Sequence, residues 1–525
     1  KRKVHYLGNL GATIKIPKIK DGEVSVISHE ALANITYKPA TLARIEAYLQ
    51  DQIIKDGGGK RHTEVAALRI QELFTAKVAT GQVYAEDLGI DHLTIDEAHN
   101  FKNLFSITSK DFQSMGGTTA DRSARAYILA LYVMLNNNNQ NIFLLSGTPF
   151  NNQPIEIYNA LSFLAQREMQ DMGVANLYDF ASQFAETSFE WTIDKSMNLV
   201  KKQVTVGFKN ATALRQLLLQ YVLPKFAKDL DLKRPEKVRI HPAIPHTALS
   251  RKVFDQLEKD MMDAEAMGYP DKLGAIGKAI MAFRAGVVSP YLTKYAQSTN
   301  YKEIVVNSPK IKYIMDQIKS VYDSNKKAGQ ILYLPLGHAI IPYLKEYLIK
   351  ELKFKPDQVG IITAKVPVSI QNKVEDDFRN GKVKVLIGSA TIKEGRNLQN
   401  YGAAEFHTLI GWNPTEVLQI EGRIYRQNNN FASVYSVFPL LEDSADSFYL
   451  QKMEQKSKTF NDLWEGREDY IDVSDIDPEE QKVALVTKPE NKAKMAIARE
   501  AKEVSNDIAI VQDKEEKMNN TPLSQ

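Results

Sequence analysis

Leu93-Thr94-Ile95-Asp96-Glu97-Ala98-His99 runs an apolar stretch straight into two adjacent carboxylates and a histidine. The residues before Asp96 read as a short buried strand over 92–96, and the polar residues mark its C-terminal end. In an open parallel sheet that end borders the ligand crevice. ATP hydrolysis needs one carboxylate near magnesium and a second to orient the attacking water. Neighbouring carboxylates at a strand end supply both. Asp96 is then the magnesium ligand, acting through water, and Glu97 the base. An acidic turn would carry the same residues, so the assignment depends on what accompanies them.

Working outward, residues 24–28 and 142–146 also read as buried strands, with helical patterns between. A second α/β stretch follows. Its candidate strands are 330–334, 359–363, 383–389, 405–410 and 432–438, with helices at 339–352 and 368–380 between the first three. That order is β-α-β-α-β, a parallel sheet with crossover helices. Residues 151–300 read as helical, with amphipathic segments at 213–223 and 251–264.

Further motifs fall in order along these elements. The acidic box continues as Asn100-Phe101-Lys102-Asn103. Leu144-Leu145-Ser146-Gly147-Thr148-Pro149 places small hydroxyl residues on a tight turn, where they can report the state of a nucleotide. Residues 383–399 read VKVLIGSATIKEGRNLQ, a strand followed by a turn in which Gly395 lets the backbone approach a phosphate. Then come Gly411-Trp412-Asn413-Pro414 and Gln419-Ile420-Glu421-Gly422-Arg423-Ile424-Tyr425-Arg426. The i, i+3 spacing sets Arg423 and Arg426 on one helical face, from which two guanidiniums can stabilise a γ-phosphate in the transition state. The plainer alternative is a solvated basic face.

Taken together, these boxes resemble the Snf2 family of superfamily 2 helicase-like ATPases. The family's Asp-Glu-x-His box is followed by Lys-Asn, and the later runs look like its Gly-Thr-Pro box and its motifs V and VI. The likeness covers about residues 24–440 in the right order. Departures are His29 where the family often has Tyr, Pro224-Lys225 where it often has paired arginines, and Arg396 where it usually has a small or apolar residue. The resemblance implies an α/β fold of two RecA-like parallel-sheet lobes, the first incomplete at its N-terminus, with a helical insertion between them. Expected boundaries are 1–150, 151–304, 305–474 and a charged tail at 475–525. It implies ATP and Mg2+ as cofactors, with Asp96, Glu97, Arg423 and Arg426 catalytic. His99, Ser146, Gly147, Thr148, Gly395, Gln419 and Gly422 line or couple the nucleotide cleft. Ser28, Lys102, Asn103, Arg396 and Asn397 are expected at nucleic acid, with Arg396 offering an added phosphate contact. Double-stranded DNA is the implied partner.

A P-loop would read Gly-x-x-x-x-Gly-Lys-Ser/Thr. Gly57-Gly58-Gly59-Lys60 lacks the upstream Gly and the hydroxyl, and it reads as a loop. The expectation is therefore a chain whose phosphate loop is supplied by an upstream segment of a larger phage or mobile-element protein, similar to helicase–methyltransferase fusions. The rival is a degenerate helicase-fold protein with a binding or structural role, for example inside a virion. The composition, 43% hydrophobic and 25% charged, is that of a globular protein. The expected location is the cytoplasm, or a virion if phage-encoded, with no membrane partner. The absence of cysteine excludes disulfides, thiolate metal sites and cysteine nucleophiles. A net charge of +3 decides little, so any nucleic-acid contact requires a local basic surface.

Overall fold

The strands of the second α/β stretch assemble into one six-stranded parallel sheet in the computed structural model. The structure describes residues 3–8, 19–55, 83–104, 120–147, 154–193, 199–225, 230, 232–268, 271–393, 395–411, 414–465, 471–472, 478–494 and 497. The chain divides into two compact units: Lys1–Glu190 with Lys201–Pro224 and Thr459–Asp475, and Trp191–Val200 with Lys225–Lys458 and Ile476–Gln525.

In the second unit the sheet order is Val359–Ile362, Val385–Gly388, Gly329–Tyr333, Gly402–His407, Ser433–Val437, Glu236–Ile240. Every residue of Gly329–Tyr333, Val385–Gly388 and Gly402–His407 is buried, as expected of a parallel sheet covered on both faces. Side chains alternate between the faces. Ile331, Tyr333 and Leu386 join Phe378, Ile420 and Ile424 of the helices Val368–Arg379 and Pro414–Ile424. Leu332, Val385 and Ile387 face the other way, onto Leu344 and Leu348 of Ile341–Lys350. Gly402 lets the Pro414–Ile424 helix close on the sheet. A Cβ there would stand 2.6 Å from the Leu398 carbonyl and would also collide with Ile424.

The first unit holds three parallel pairs: Val4–Gly8 with Val24–Ile27, Ile35–Thr36 with Val83–Tyr84, and Leu93–Ile95 with Ile142–Leu144. They pack on the helix Asp121–Asn136, which is buried almost all round from Ala126 to Val133. Helices Pro154–Leu164, Leu177–Phe184 and Ala211–Tyr221 form a separate core around Tyr158, Phe180 and Leu214. The fold class is α/β, as expected, with parallel strands in both units. No helix among the described residues is long and apolar enough to cross a membrane.

The stretch 151–304, expected as a helical insertion and interlobe linker, holds strands as well as helices. It contains strands Ala185–Ile193 and Leu199–Phe208, it divides between the two units, and Glu236–Ile240 completes the large sheet as its edge. That last strand alternates charge with apolar residues, which suits an edge, and reads poorly as a buried strand. The charged segment after 475 is partly ordered. Pro478–Leu485 is helical, and Leu485 and Val486 are buried. Residues 498–525 lie outside the described residues.

Within that C-terminal segment, residues 487–491 gather on one carboxylate. Glu258 accepts hydrogen bonds from the Thr487 amide and hydroxyl at 3.1 and 2.7 Å, the Lys488 amide at 3.1 Å and Asn491 Nδ2 at 2.6 Å. Burial alone would raise its pKa, but these donors outweigh burial and hold it below the usual carboxylate range. A depressed folded-state pKa means that the stabilisation is full above the unfolded-state pKa and is lost as pH falls through the folded one. We expect Glu258→Gln to lower stability at pH 7 by about 1–3 kcal/mol and to flatten part of the acid-side decline. Denaturant unfolding at neutral pH and on the acid limb measures both effects.

Candidate functional site

The parallel pairing of Leu93–Ile95 with Ile142–Leu144 sets two motif loops side by side. Leu145 N donates to Ile95 O at 2.8 Å, and Ala98 N donates to Leu145 O at 2.9 Å, so the register continues past both strand ends. Asp96 is exposed, and its Oδ1 accepts from the Glu97 amide at 3.0 Å. Glu97 then turns in the left-handed region, with φ 50° and ψ 47°. For a residue with a Cβ that conformation costs about 1–2 kcal/mol, and it is retained where surrounding contacts fix it. The outcome is a convergence on one ring nitrogen. His99 Nδ1 lies 3.3 Å from Glu97 Oε2 and 3.1 Å from Ser146 Oγ. His99 is buried, whereas Glu97 is 39% exposed, so the imidazole can steer a carboxylate that remains open to a ligand.

The substituted His29 also has a place. Its Nε2 lies 3.2 Å from the Asp96 carbonyl, and its ring meets the edge of Phe101 at 4.8 Å. Ser28 caps the short helix His29–Asn34, its Oγ accepting from Ala31 N at 3.3 Å. Lys102 pairs with the buried Glu156 at 2.8 Å, and its carbonyl accepts from Asn159 at 2.5 Å. Asn103 is exposed, and its carbonyl accepts from Ala120 N. Of these three expected nucleic-acid contacts, Ser28 and Lys102 therefore have structural partners. Gly147 is described, whereas Thr148, Pro149 and Asn151-Asn152 lie outside the described residues, as do Gly57–Lys60, Glu394, Trp412 and Asn413.

In the second unit, Gly395 takes φ +67°, and its turn leads to Arg396. The carbonyl of Arg396 accepts from Arg423 Nη1 at 2.7 Å and from Arg426 Nη1 at 3.4 Å. Arg426 also donates to Asn397 Oδ1 at 3.2 Å, and Arg423 Nε donates to Gln419 O at 2.9 Å. The two arginines do meet, but not as a continuous helical face. The helix ends at Ile424, and Arg426 follows it. Gly422 sits on that helix with open space at its Cβ position. The expected added phosphate contact from Arg396 finds no support here. Its guanidinium binds Glu375 at 2.9 Å, Asn372 at 3.0 Å and Gln371 at 2.5 Å, all on the Val368–Arg379 helix. Asn397 is likewise held, its amide donating to Glu375 Oε1 at 2.8 Å.

One group escaped the sequence reading. Glu421, inside the Gln419–Arg426 box, is buried and accepts from Arg239 Nε at 2.6 Å, Arg239 Nη2 at 2.8 Å and Lys237 Nζ at 2.7 Å. Its burial raises the carboxyl pKa, but the two cations more than offset this and hold it below the usual range. The alternating charges of Glu236-Lys237-Val238-Arg239-Ile240 were the only available signal.

The donor set fits a magnesium nucleotide on the acidic side. Among the described residues no three His, Asp or Glu side chains form a metal cage. Magnesium bound with ATP needs no such cage, since one carboxylate, water and phosphates suffice. An exposed Asp96 at a strand end meets that need.

A model described as a probable helicase domain matches residues 11–221, and one described as a helicase conserved C-terminal domain matches 310–428. The chain is 32% identical over 151 residues to Defense against restriction protein B of Escherichia phage P1, a match spanning 28% of this chain and 7% of that protein. It is 25% identical over 402 residues to Helicase SWR1 of Debaryomyces hansenii, spanning 71% of this chain and 22% of that protein. A Sulfolobus solfataricus SWI2/SNF2 ATPase core solved in complex with dsDNA overlays with a TM-score of 0.36 at 14% identity, covering 83% of this chain and 95% of that one.

Replacing Arg396 separates an anchor from a ligand contact. Arg396→Ala leaves Glu375, 13% exposed, without its cation, and we expect a loss of about 2–3 kcal/mol in unfolding free energy. A solvent-facing phosphate ligand would change stability by no more than about 0.5 kcal/mol. Urea unfolding distinguishes the two.

Proposed function

We propose, for a chain that belongs to the Snf2 family of superfamily 2 helicase-like ATPases, that it forms the motor part of a DNA-dependent ATPase that tracks along double-stranded DNA. The observation that carries this reading is the convergence of Glu97 and Ser146 on His99. It ties the acidic box to the following motif through one buried ring. Such a ring can pass a change at the Glu97 carboxylate to the Ser146-Gly147 turn.

In this reading Asp96 holds magnesium through water, and Glu97 accepts a proton from the attacking water. Bound ATP and magnesium supply the scissile phosphoanhydride and neutralise its charge. Arg423 and Arg426 contribute positive charge to the γ-phosphate as bond breaking proceeds. Gathered at one carbonyl, they occupy fixed positions before reaction, and a preset dipole or charge costs little reorganisation.

The phosphate cradle is assigned to further polypeptide. Parallel sheets are normally covered on both faces. In the first unit Tyr6 is 81% exposed and Phe143 54%, with Val24, Val26 and Leu145 also exposed on the same strands or at their ends. This supports an additional layer against those two strand pairs, in which a phosphate loop would lie. The setting we favour is one segment of a larger phage or mobile-element protein, joined to upstream sequence or a methyltransferase domain. The partial match to a phage P1 protein supports it. A degenerate, purely structural role fits less well, because the joint retention of Asp96, Glu97, Arg423 and Arg426 serves no binding scaffold.

Residues 1–525 alone should hydrolyse ATP slowly, and a longer polypeptide carrying a phosphate loop should do so with DNA stimulation. In that form Glu97→Gln should lower turnover by about 10²–10⁴ while nucleotide binding persists. Turnover within a few-fold of wild type would remove Glu97 from the role of base. Robust turnover by residues 1–525 would show that the phosphates are held within this chain.

A further inference from the structure

Glu421 and Arg423 stand two residues apart on the helix Pro414–Ile424, so their side chains leave on nearly opposite sides. Arg423 turns to the Gly395–Asn397 turn, and Glu421 turns to the edge strand Glu236–Ile240. Lys237 and Arg239 alternate along that strand and share one face. Both reach the same carboxylate, Arg239 with its two-nitrogen fork at 2.6 and 2.8 Å and Lys237 at 2.7 Å. Past the helix end the grip repeats. Arg234 and Lys237 lie 5.4 and 5.3 Å from the centre of the Tyr425 ring. Three cations from residues 234–239 thus hold the residues on either side of Arg423 and next to Arg426.

We propose that Glu421 is a positioning residue that fixes Arg423 and Arg426 at the Arg396 carbonyl, through its clamp on Lys237 and Arg239. This rests on the reading of those arginines as γ-phosphate contacts. A buried ion pair adds little net stability over a packed apolar group, because desolvation offsets the attraction. What it adds is geometry. A fork on a carboxylate sets both the rotation and the translation of the helix that bears it. A methionine or leucine at 421 would fill the same space and leave the helix end free to turn. The clamp also falls on the first strand after the chain passes from one unit to the other at Pro224 and Lys225.

The test labels arginines in the whole chain with phenylglyoxal and follows each by mass spectrometry. In wild type Arg423, only 6% exposed, should react slowly. In Glu421→Gln the labelling of Arg423 and Arg426 should rise by about tenfold. Arg284, on the helix Asp271–Val288 of the same unit, should not change. Arg239→Lys keeps the charge, loses the fork, and should give an intermediate rise. Continued protection of Arg423 in both variants would overturn the proposal. So would a parallel rise at Arg284, since Glu421 would then merely hold the unit together. In an ATP-hydrolysing form, Glu421→Gln should reduce kcat by about tenfold and leave KM within about threefold; raised labelling with an unchanged kcat would overturn the γ-phosphate reading of the arginines and leave the Glu421 assignment standing. Labelling needs no turnover, so a failure of the ATPase reading and a failure of the Glu421 assignment give different results.

Discussion

Parallel strands all point their C-terminal ends the same way, and the arrangement of this protein follows from that constraint. Where Leu93–Ile95 lies beside Ile142–Leu144, the residues that leave the two strands must lie together. Asp96 and Glu97 on one loop and Ser146 and Gly147 on the next are neighbours for that reason alone. The same geometry in the second unit delivers the Gly395–Asn397 turn, the loop after Val385–Gly388, to the helix that follows Gly402–His407. Sequence distance is large in both cases, and hydrogen-bond register supplies the proximity.

Buried carboxylates recur where elements of the fold are joined. Glu258, Glu421, Glu375 and Glu156 each have little exposure, and each is met by several donors or a close cation. A lone buried carboxylate would be expelled or protonated. These are instead retained at joints: Glu258 ties the C-terminal segment, Glu375 braces the Arg396 turn, and Glu421 meets the edge strand. Lys310 and Asp446 make a further such joint at 2.9 Å between two helices. Burial pushes the Lys310 ammonium down, and Asp446 opposes that. Each pair fixes orientation where an apolar contact would allow sliding.

Much of this was legible in the sequence. The strands of the second unit lie within a few residues of where their β-branched runs ended, because a parallel sheet buried on both faces writes itself as continuous apolar sequence. The acidic box and the arginine box were legible because chemistry restricts their residue types. What escaped was long-range polar pairing. Nothing local to Glu236–Ile240 shows that Lys237 and Arg239 share a partner in the 421 region. Nothing local to Glu258 shows that it accepts from residue 487 onward. The partners of Arg396 escaped for the same reason: nothing local to the turn shows that Gln371, Asn372 and Glu375 bind its guanidinium.

On the proposed function, the two arginines gathered at the Arg396 carbonyl act on a nucleotide and are more than a brace for the second unit. Lysine at either position keeps the charge and loses the planar fork. The direct measurement is ATP turnover, with kcat and KM resolved, for Arg423→Lys and Arg426→Lys in a form that carries a phosphate loop, alongside the melting temperature. The account predicts that at least one substitution lowers kcat by about 10³ or more, with KM little changed and the melting temperature nearly that of wild type. Turnover within a few-fold of wild type in both variants, or a loss of activity that only follows unfolding, would contradict it.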